Sequence, residues 1–277
     1  MENIAVIIVT YNPNLKNLLR LIDELPKANI YISDNGSKNF EKLKKIANDY
    51  ENVTLINNQV NCGIAVAQNN AMKVAYANSA EFLFFLDQDS FISSETLDLL
   101  KKDYILFTKK DMHLGIVSAV PDYEQIQDYG IKYVNEVISS GMFVSAKLAK
   151  NVGYMFEELF IDMVDYEWCW RFARHGLKVA KDYNCVFRHQ IGNNEKKLGK
   201  IIISPFRLYY VFRNSLFLIK KSQIPNRKYS VLLKYRLFKQ FIFNILLCPQ
   251  KNKRLQYIWL GIRDAQNSRM GKLNYDE

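Results

Sequence analysis

The chain has 277 residues, 49% of them hydrophobic, with six prolines and eleven glycines, which excludes disorder and leaves a packed globule with room for an appendage. No apolar run reaches the roughly 18–20 residues needed to span a bilayer, and Asn3-Ile4 leads straight into a strand with nothing like a signal peptide before it; a cytoplasmic protein is expected. Cys62, Cys169, Cys185 and Cys248 lack paired spacing, which excludes a zinc cluster or disulfide framework, and the net charge of +10 is concentrated at one end: residues 201–277 carry 15 Lys+Arg against 3 Asp+Glu.

The branched apolar run 4–9 reads as a buried strand. Residues 15–25 have helical apolar spacing behind the start signals Asn12, Pro13 and Asn14. A second strand at 30–33 closes in the turn sequence Asp34-Asn35-Gly36-Ser37. There follow a helix at 40–50, a strand at 53–56, an Ala-rich helix at 64–77, a strand at 81–86, a helix at 97–106 and a strand at 114–119. This alternation predicts an α/β fold whose sheet is mixed but mostly parallel, with helices on both faces. After Pro121 the pattern changes to strands at 131–138 and 141–145, a helix at 164–175 ending at Gly176, and short strands at 178–181 and 186–189. Beyond Pro205 only helical patterns remain, at 206–220, 229–247 and 251–270. Charge and pattern place a boundary near residue 200, giving a domain 1–200 and a C-terminal helical basic segment 201–277.

Polar clusters recur at the carboxyl ends of successive strands, where open α/β sheets bind ligands. They are Thr10-Tyr11-Asn12-Pro13, Asp34-Asn35-Gly36-Ser37, residues 57–63 with Asn61 and Gly63, and Asp87-Gln88-Asp89 after the apolar run 82–86. Asp87 and Asp89 suit a hard divalent cation carrying a diphosphate; an acidic turn capping the next helix is the alternative. Asp34 could accept the ring N–H of a uracil or thymine, or make an Asx-turn with Gly36. Gly63 could let the backbone approach a ligand at a helix N-terminus, or form a plain tight turn. One of Asn69 and Asn70 is expected to point into the site.

A second stretch, residues 160–171, sets Asp162, Asp165 and Glu167 among Trp168, Trp170 and Arg171. Glu167 and Arg171, spaced i,i+4, are expected to pair. Asp165, in the first helical turn, is the candidate general base; its alternative role is to complement the helix dipole. His189 closes a short strand and is a candidate third contact to metal or diphosphate.

In order and spacing, Thr10-Tyr11-Asn12, Asp34-Asn35-Gly36-Ser37, Asn61-x-Gly63, Asp87-x-Asp89, Ser140-Gly141 and Asp165-x-Glu167-Trp168-x-x-Arg171 resemble an inverting family 2 glycosyltransferase of the GT-A fold over roughly residues 4–192. Gln88, Phe160-Ile161-Asp162, His189-x-x-Gly192 and Tyr209-Tyr210-x-x-Arg213-Asn214 resemble the bacterial rhamnosyltransferase branch. The resemblance implies that Thr10, Tyr11, Asn12, Asp34, Asn35, Asn61, Gly63, Asp87 and Gln88 hold the donor nucleotide. It implies that Asp89 and His189 bind Mg2+ or Mn2+ and that Asp165 is the base. Many relatives carry Glu at the position of Val164, and Asp162 could stand in for it. The implied donor is a nucleotide-sugar, dTDP-β-L-rhamnose above others, and the implied product an α-L-rhamnoside.

The tail interleaves Lys and Arg with large apolar residues through 232–243, which reads as a basic amphipathic helix on a membrane surface rather than a nucleic-acid reader; a core-packing or homodimer contact is the alternative. On the membrane reading the protein is peripheral at the inner face of the cell membrane and its acceptor is a polyprenyl-linked glycan destined for cell-surface polysaccharide. Two rivals stand beside this. A nucleotidyltransferase would carry a Gly-rich basic loop after the first strand, which Thr10-Tyr11-Asn12-Pro13-Asn14 is not. A non-catalytic nucleotide-binding assembly subunit would bind without turnover.

Overall fold

A computed structural model describes residues 3–124, 128–189, 196–197 and 200–273. Gly192 of the His189-x-x-Gly192 pattern lies outside them. The first half alternates as expected: β1 (Ile4–Thr10), α1 (Leu15–Glu24), β2 (Asn29–Asp34), α2 (Phe40–Asn48), β3 (Val53–Asn57), α3 (Ile64–Ala77), β4 (Phe82–Asp87). There follow β5 (Ser90–Phe91), α4 (Ser94–Lys110), β6 (Leu114–Pro121), β7 (Ile131–Val134), β8 (Met142–Ser145), α5 (Ala146–Val152), α6 (Val164–Arg174), β9 (Lys178–His189), α7 (Pro205–Lys220), α8 (Arg227–Leu247) and α9 (Lys251–Gln266).

One sheet runs β3-β2-β1-β4-β8-β6-β9-β5, with β7 on the flank of β9. The strands β3, β2, β1 and β4 are mutually parallel, and β8 enters antiparallel between β4 and β6. Because side chains alternate along a strand, β1 sends Ala5 and Ile7 into a core with α3, α5 and α6, and Ile4, Val6 and Ile8 into a second core with α1, α2 and α4. In β4, Leu83 and Phe85 face the first core and Phe84 and Leu86 the second, so both faces are covered. The register sets Thr10 beside Asp34, Asp34 beside Asn57, and Val9 beside Asp87, aligning the polar strand ends in one row.

Two strand expectations are corrected. The strand expected at 131–138 stops at Val134; beyond it Val137 is buried in the first core and the Ser140 hydroxyl accepts from the Asp87 N–H at 3.2 Å. The strands expected at 178–181 and 186–189 are one, β9; its register against β6 shifts after Asp182, and that bulge, where Asp182 Oδ1 caps the Asn184 N–H at 3.0 Å, reads as a turn in sequence. Helix α5, too short for a periodic signal, was not expected. The C-terminal helices pack against residues of the first 200, with Tyr210 stacked on Phe160, and α7 packs on α9.

Helix α8 is not amphipathic in the expected sense, because it is apolar on two opposite faces. Tyr229, Leu233 and Leu237 are buried, while Val231, Tyr235, Phe238, Ile242 and Leu246, half a helical turn away, are exposed. No helix among the described residues is long and apolar enough to cross a membrane.

Candidate active site

Asp87 ends β4 and Asp89 follows it on a tight turn, but what completes the cluster is the short β5. Ser90 pairs with His189 across an antiparallel bridge, and this brings carboxylate oxygens of Asp87 and Asp89 and a ring nitrogen of His189 within 4.8 Å of one another. The Ser90 hydroxyl lies 2.7 Å from His189 Nδ1 and 2.8 Å from Ser140 Oγ, which orients the ring and leaves Nε2 for a ligand. Two carboxylates and an imidazole are a donor set that fits Mg2+ or Mn2+. Burial raises the Asp87 carboxyl from its ordinary value and Asp89 adds to the rise, while His189 and Arg207 oppose it. A cation held between these groups would offset that penalty.

The other strand ends mainly hold one another. Asp34 is fully buried. Its carboxylate accepts from the Thr10 hydroxyl at 2.9 Å, from the Gly36 and Ser37 N–H groups at 3.1 and 2.9 Å, and from the Ser37 hydroxyl. The Asx-turn is therefore formed, and a base-reading contact would have to share an oxygen already engaged. Asn12 binds the Lys38 N–H through Oδ1 at 2.9 Å, and Asn35 joins Asn61 and the Gly63 carbonyl through Nδ2 at 3.2 and 3.3 Å. Gln88 accepts from the Tyr11 N–H at 2.8 Å, tying the acidic turn to the end of β1. The Tyr11 ring is exposed at the edge of this network.

At Gly63, where ligand approach and a tight turn were the two readings, the close neighbour is protein backbone. The first amide of α3, on Ile64, donates to the Phe160 carbonyl at 2.7 Å. Gly63 has φ +90°, and a Cβ there would lie 2.6 Å from that carbonyl oxygen. The glycine admits the close approach of Phe160.

Asp165 sits at the start of α6, where the N–H groups of Tyr166 and Ser139 donate to its carboxylate at 2.9 and 3.3 Å. Burial pushes its carboxyl up to about 7; the charges of Asp162 and Asp87 act in the same direction and the two N–H groups oppose them. Glu167 is buried and pairs with Arg171 at 2.6 Å and Arg174 at 3.2 Å, the structural role its spacing suggested. Asp162 is not free to partner Asp165 as a second carboxylate: it is bonded to the Arg207 guanidinium, with Nε at 3.2 Å.

Asp87, His189 and Asp165 line one cavity of about 700 Å³, whose lining also includes Ser204, Arg207 and Gln240 of the C-terminal segment. Sequence reasoning missed Gln68, Tyr123 and Arg207, which also face it. Arg207 follows Ser204-Pro205, a helix start that was visible, but nothing local says its side chain reaches back to the acidic loop. Asn69 and Asn70, one of which was expected in the site, are both committed to protein partners.

Residues 5–108 match the family model "Glycosyl transferase family 2". The dTDP-rhamnosyl transferase RfbF of Shigella flexneri is 36% identical over 278 residues, spanning 91% of this chain and 90% of that protein. The structure also superposes on Staphylococcus aureus TarS 1–349 in complex with UDP-GlcNAc, with a TM-score of 0.63 at 16% identity over 95% of this chain and 81% of that one. On GalNAc-T7 with UDP, GalNAc and Mn2+ the TM-score is 0.57 at 12% identity, over 97% of this chain and 56% of that one. The strand-end row, the acidic cluster and the Asp165 cavity thus sit on a GT-A fold, and the chain is a glycosyltransferase belonging to family 2.

Proposed function

We propose that the enzyme transfers L-rhamnose from dTDP-β-L-rhamnose, with inversion, to a hydroxyl of a polyprenyl-linked glycan, using Mg2+ or Mn2+. The observation that carries the reaction is the shared cavity: Asp165 opens onto the same space as Asp87 and His189. The donor identity draws support from the likeness to RfbF.

Asp165 takes the proton from the acceptor hydroxyl as its oxygen bonds to the anomeric carbon. The bond from that carbon to the diphosphate oxygen breaks, and the nucleoside diphosphate leaves with the electron pair. Attack from the face opposite the leaving group gives the inverted α-L-rhamnoside. A carboxyl raised to about 7 is matched to base catalysis near neutral pH. Asp87, Asp89 and His189 would hold the cation, which supplies charge neutralisation on the departing diphosphate. Arg207 adds a fixed positive charge on the same side.

The exposed stripe on α8, Val231, Tyr235, Phe238, Ile242 and Leu246, supports peripheral attachment to an anionic membrane surface. Arg227 and Lys234 flank it on one side and Lys228 and Lys239 on the other, the arrangement of an interfacial helix.

Incubation with dTDP-rhamnose, Mn2+ and a polyprenyl-diphosphate glycan is expected to yield rhamnosylated lipid and dTDP, abolished by EDTA. Asp165→Asn should reduce transfer at least ~100-fold; near-normal transfer by that variant would remove the base assignment. Cosedimentation with phosphatidylglycerol vesicles is expected for the full chain and not for Phe238→Glu. A stable dimer without vesicle binding would favour the dimer contact.

A further inference from the structure

Helix α3 carries three consecutive amide side chains, Gln68-Asn69-Asn70, and they have different fates. Asn69 spends its amide on Met155 and Glu157, receiving the Met155 N–H and donating to the Met155 carbonyl and the Glu157 carboxylate, each at 2.9 Å. Asn70 donates to Asn58 Oδ1 at 2.9 Å. Gln68 is 4% exposed, yet its Oε1 has no hydrogen-bond partner among the described residues. A buried acceptor left unpaired costs about 1–3 kcal/mol, and such groups in folded proteins call for an explanation.

The surroundings supply one. Gln68 lines the cavity that also holds Asp87, His189 and Asp165, and no described side chain or backbone group donates to its Oε1 there. The group that must lie between a diphosphate held near Asp87 and a base at Asp165 is the sugar being transferred, and a sugar is a ring of hydroxyl donors. We propose that Gln68 reads the donor sugar, its Oε1 accepting a hydrogen bond from a sugar hydroxyl. This rests on the glycosyl-transfer reading above and adds a residue that tells the sugar nucleotide from the bare nucleotide.

The test uses the full chain with Mn2+, wild type and Gln68→Met, a variant of similar volume that removes the polar amide. Calorimetric Kd values are measured for dTDP-rhamnose and for dTDP, with Tm of the ligand-free proteins. Gln68→Met is expected to weaken dTDP-rhamnose binding about tenfold, to leave dTDP binding within about twofold, and to hold or raise Tm, because an unpaired buried acceptor has gone. Unchanged dTDP-rhamnose binding overturns the proposal, as does equal weakening of both ligands or a loss confined to the acceptor KM. A fall in Tm with unaltered binding overturns it too and assigns Gln68 a structural role. If wild type binds dTDP-rhamnose no better than dTDP but prefers another nucleotide-sugar, the donor assignment fails, and the same comparison with that sugar and its own nucleoside diphosphate still decides Gln68.

Discussion

Asn214, on the C-terminal helix α7, donates through Nδ2 to the carbonyl of Asp162 at 2.8 Å, three residues before the candidate base Asp165. The same amide reaches the carbonyls of Leu159 at 2.9 Å and Ile161 at 2.8 Å, and Arg213 binds Leu159 again at 3.0 Å. The loop so held contains Phe160, Asp162 and Met163, all with positive φ, at 64, 62 and 68°. Each such residue costs of order 1 kcal/mol or more and persists when its surroundings over-determine it. The helical segment thereby fixes where α6 begins and where Asp165 points.

Asn214→Ala is accordingly expected to destabilise the fold by about 2–4 kcal/mol, since it leaves buried carbonyls unpaired around a strained loop. Well below its Tm, the variant should also lose kcat more than donor affinity, because the base moves while the strand-end network does not. Urea unfolding together with initial rates checks both. A variant that unfolds early but turns over normally when folded would separate the clamp from catalysis.

Gly63 and Gly130 offer a controlled pair, since both have positive φ. A Cβ at Gly63 would meet the Phe160 carbonyl oxygen and ring at 2.6 Å and its Cα at 2.9 Å, whereas one at Gly130 meets nothing within 4 Å among the described residues. Gly130→Ala should therefore show only the conformational penalty, about 1 kcal/mol. Gly63→Ala should exceed it by at least ~2 kcal/mol, because backbone rather than a flexible side chain is in the way. Chemical denaturation of the two variants side by side gives the difference.

Much of this was legible because period-2 and period-3.6 patterns and turn chemistry are local. The βαβ order, the row of polar strand ends and the Glu167–Arg171 pair follow from residue type and spacing, whereas His189, a candidate partner of Asp87 and Asp89 in the sequence, reaches them only through the Ser90–His189 pairing across 99 residues. What escaped depends on contacts distant in sequence. Gly63 is written the same way whether its backbone meets a phosphate or the Phe160 carbonyl. Arg207 meets Asp162 across 45 residues, and Asn214 grips its loop across a similar distance, so the boundary that charge and pattern place near residue 200 runs between residues lining one cavity. The two-faced α8 looked amphipathic because its basic residues stood out and its second apolar face did not.

Asp165 makes the pH dependence specific. Its folded carboxyl is raised from 3.8 to about 7, so between these values the folded state keeps a proton that the unfolded chain has released. The ionisation penalty is absent below about pH 4, grows as pH rises, and is complete above about pH 7. Asp165→Asn should therefore raise Tm by a few degrees at pH 8 and leave it nearly unchanged at pH 4. Activity runs the other way, since the base must be ionised: kcat/KM is expected to fall about tenfold per pH unit below pH 7. Thermal melts and initial rates across pH 4–9 test the two signs independently.

Arg207 and Asp162 should move that profile in opposite directions. The Asp162 carboxylate, only 11% exposed, pushes the Asp165 carboxyl upward, and the Arg207 guanidinium bonded to it is the compensating charge. Arg207→Gln leaves a buried negative charge uncompensated beside Asp165, so the acid limb of kcat/KM should shift to higher pH. Asp162→Asn removes that charge, and asparagine tolerates the positive φ of 62° at this position, so the limb should shift to lower pH. Shifts of about half a unit or more are expected at this separation and burial. Arg207→Lys, which keeps the charge and loses the fork, should hold the wild-type limb while raising the donor KM. Profiles that move together in the two charge-removing variants would show that Asp165 does not govern the acid limb, whatever their effect on rate.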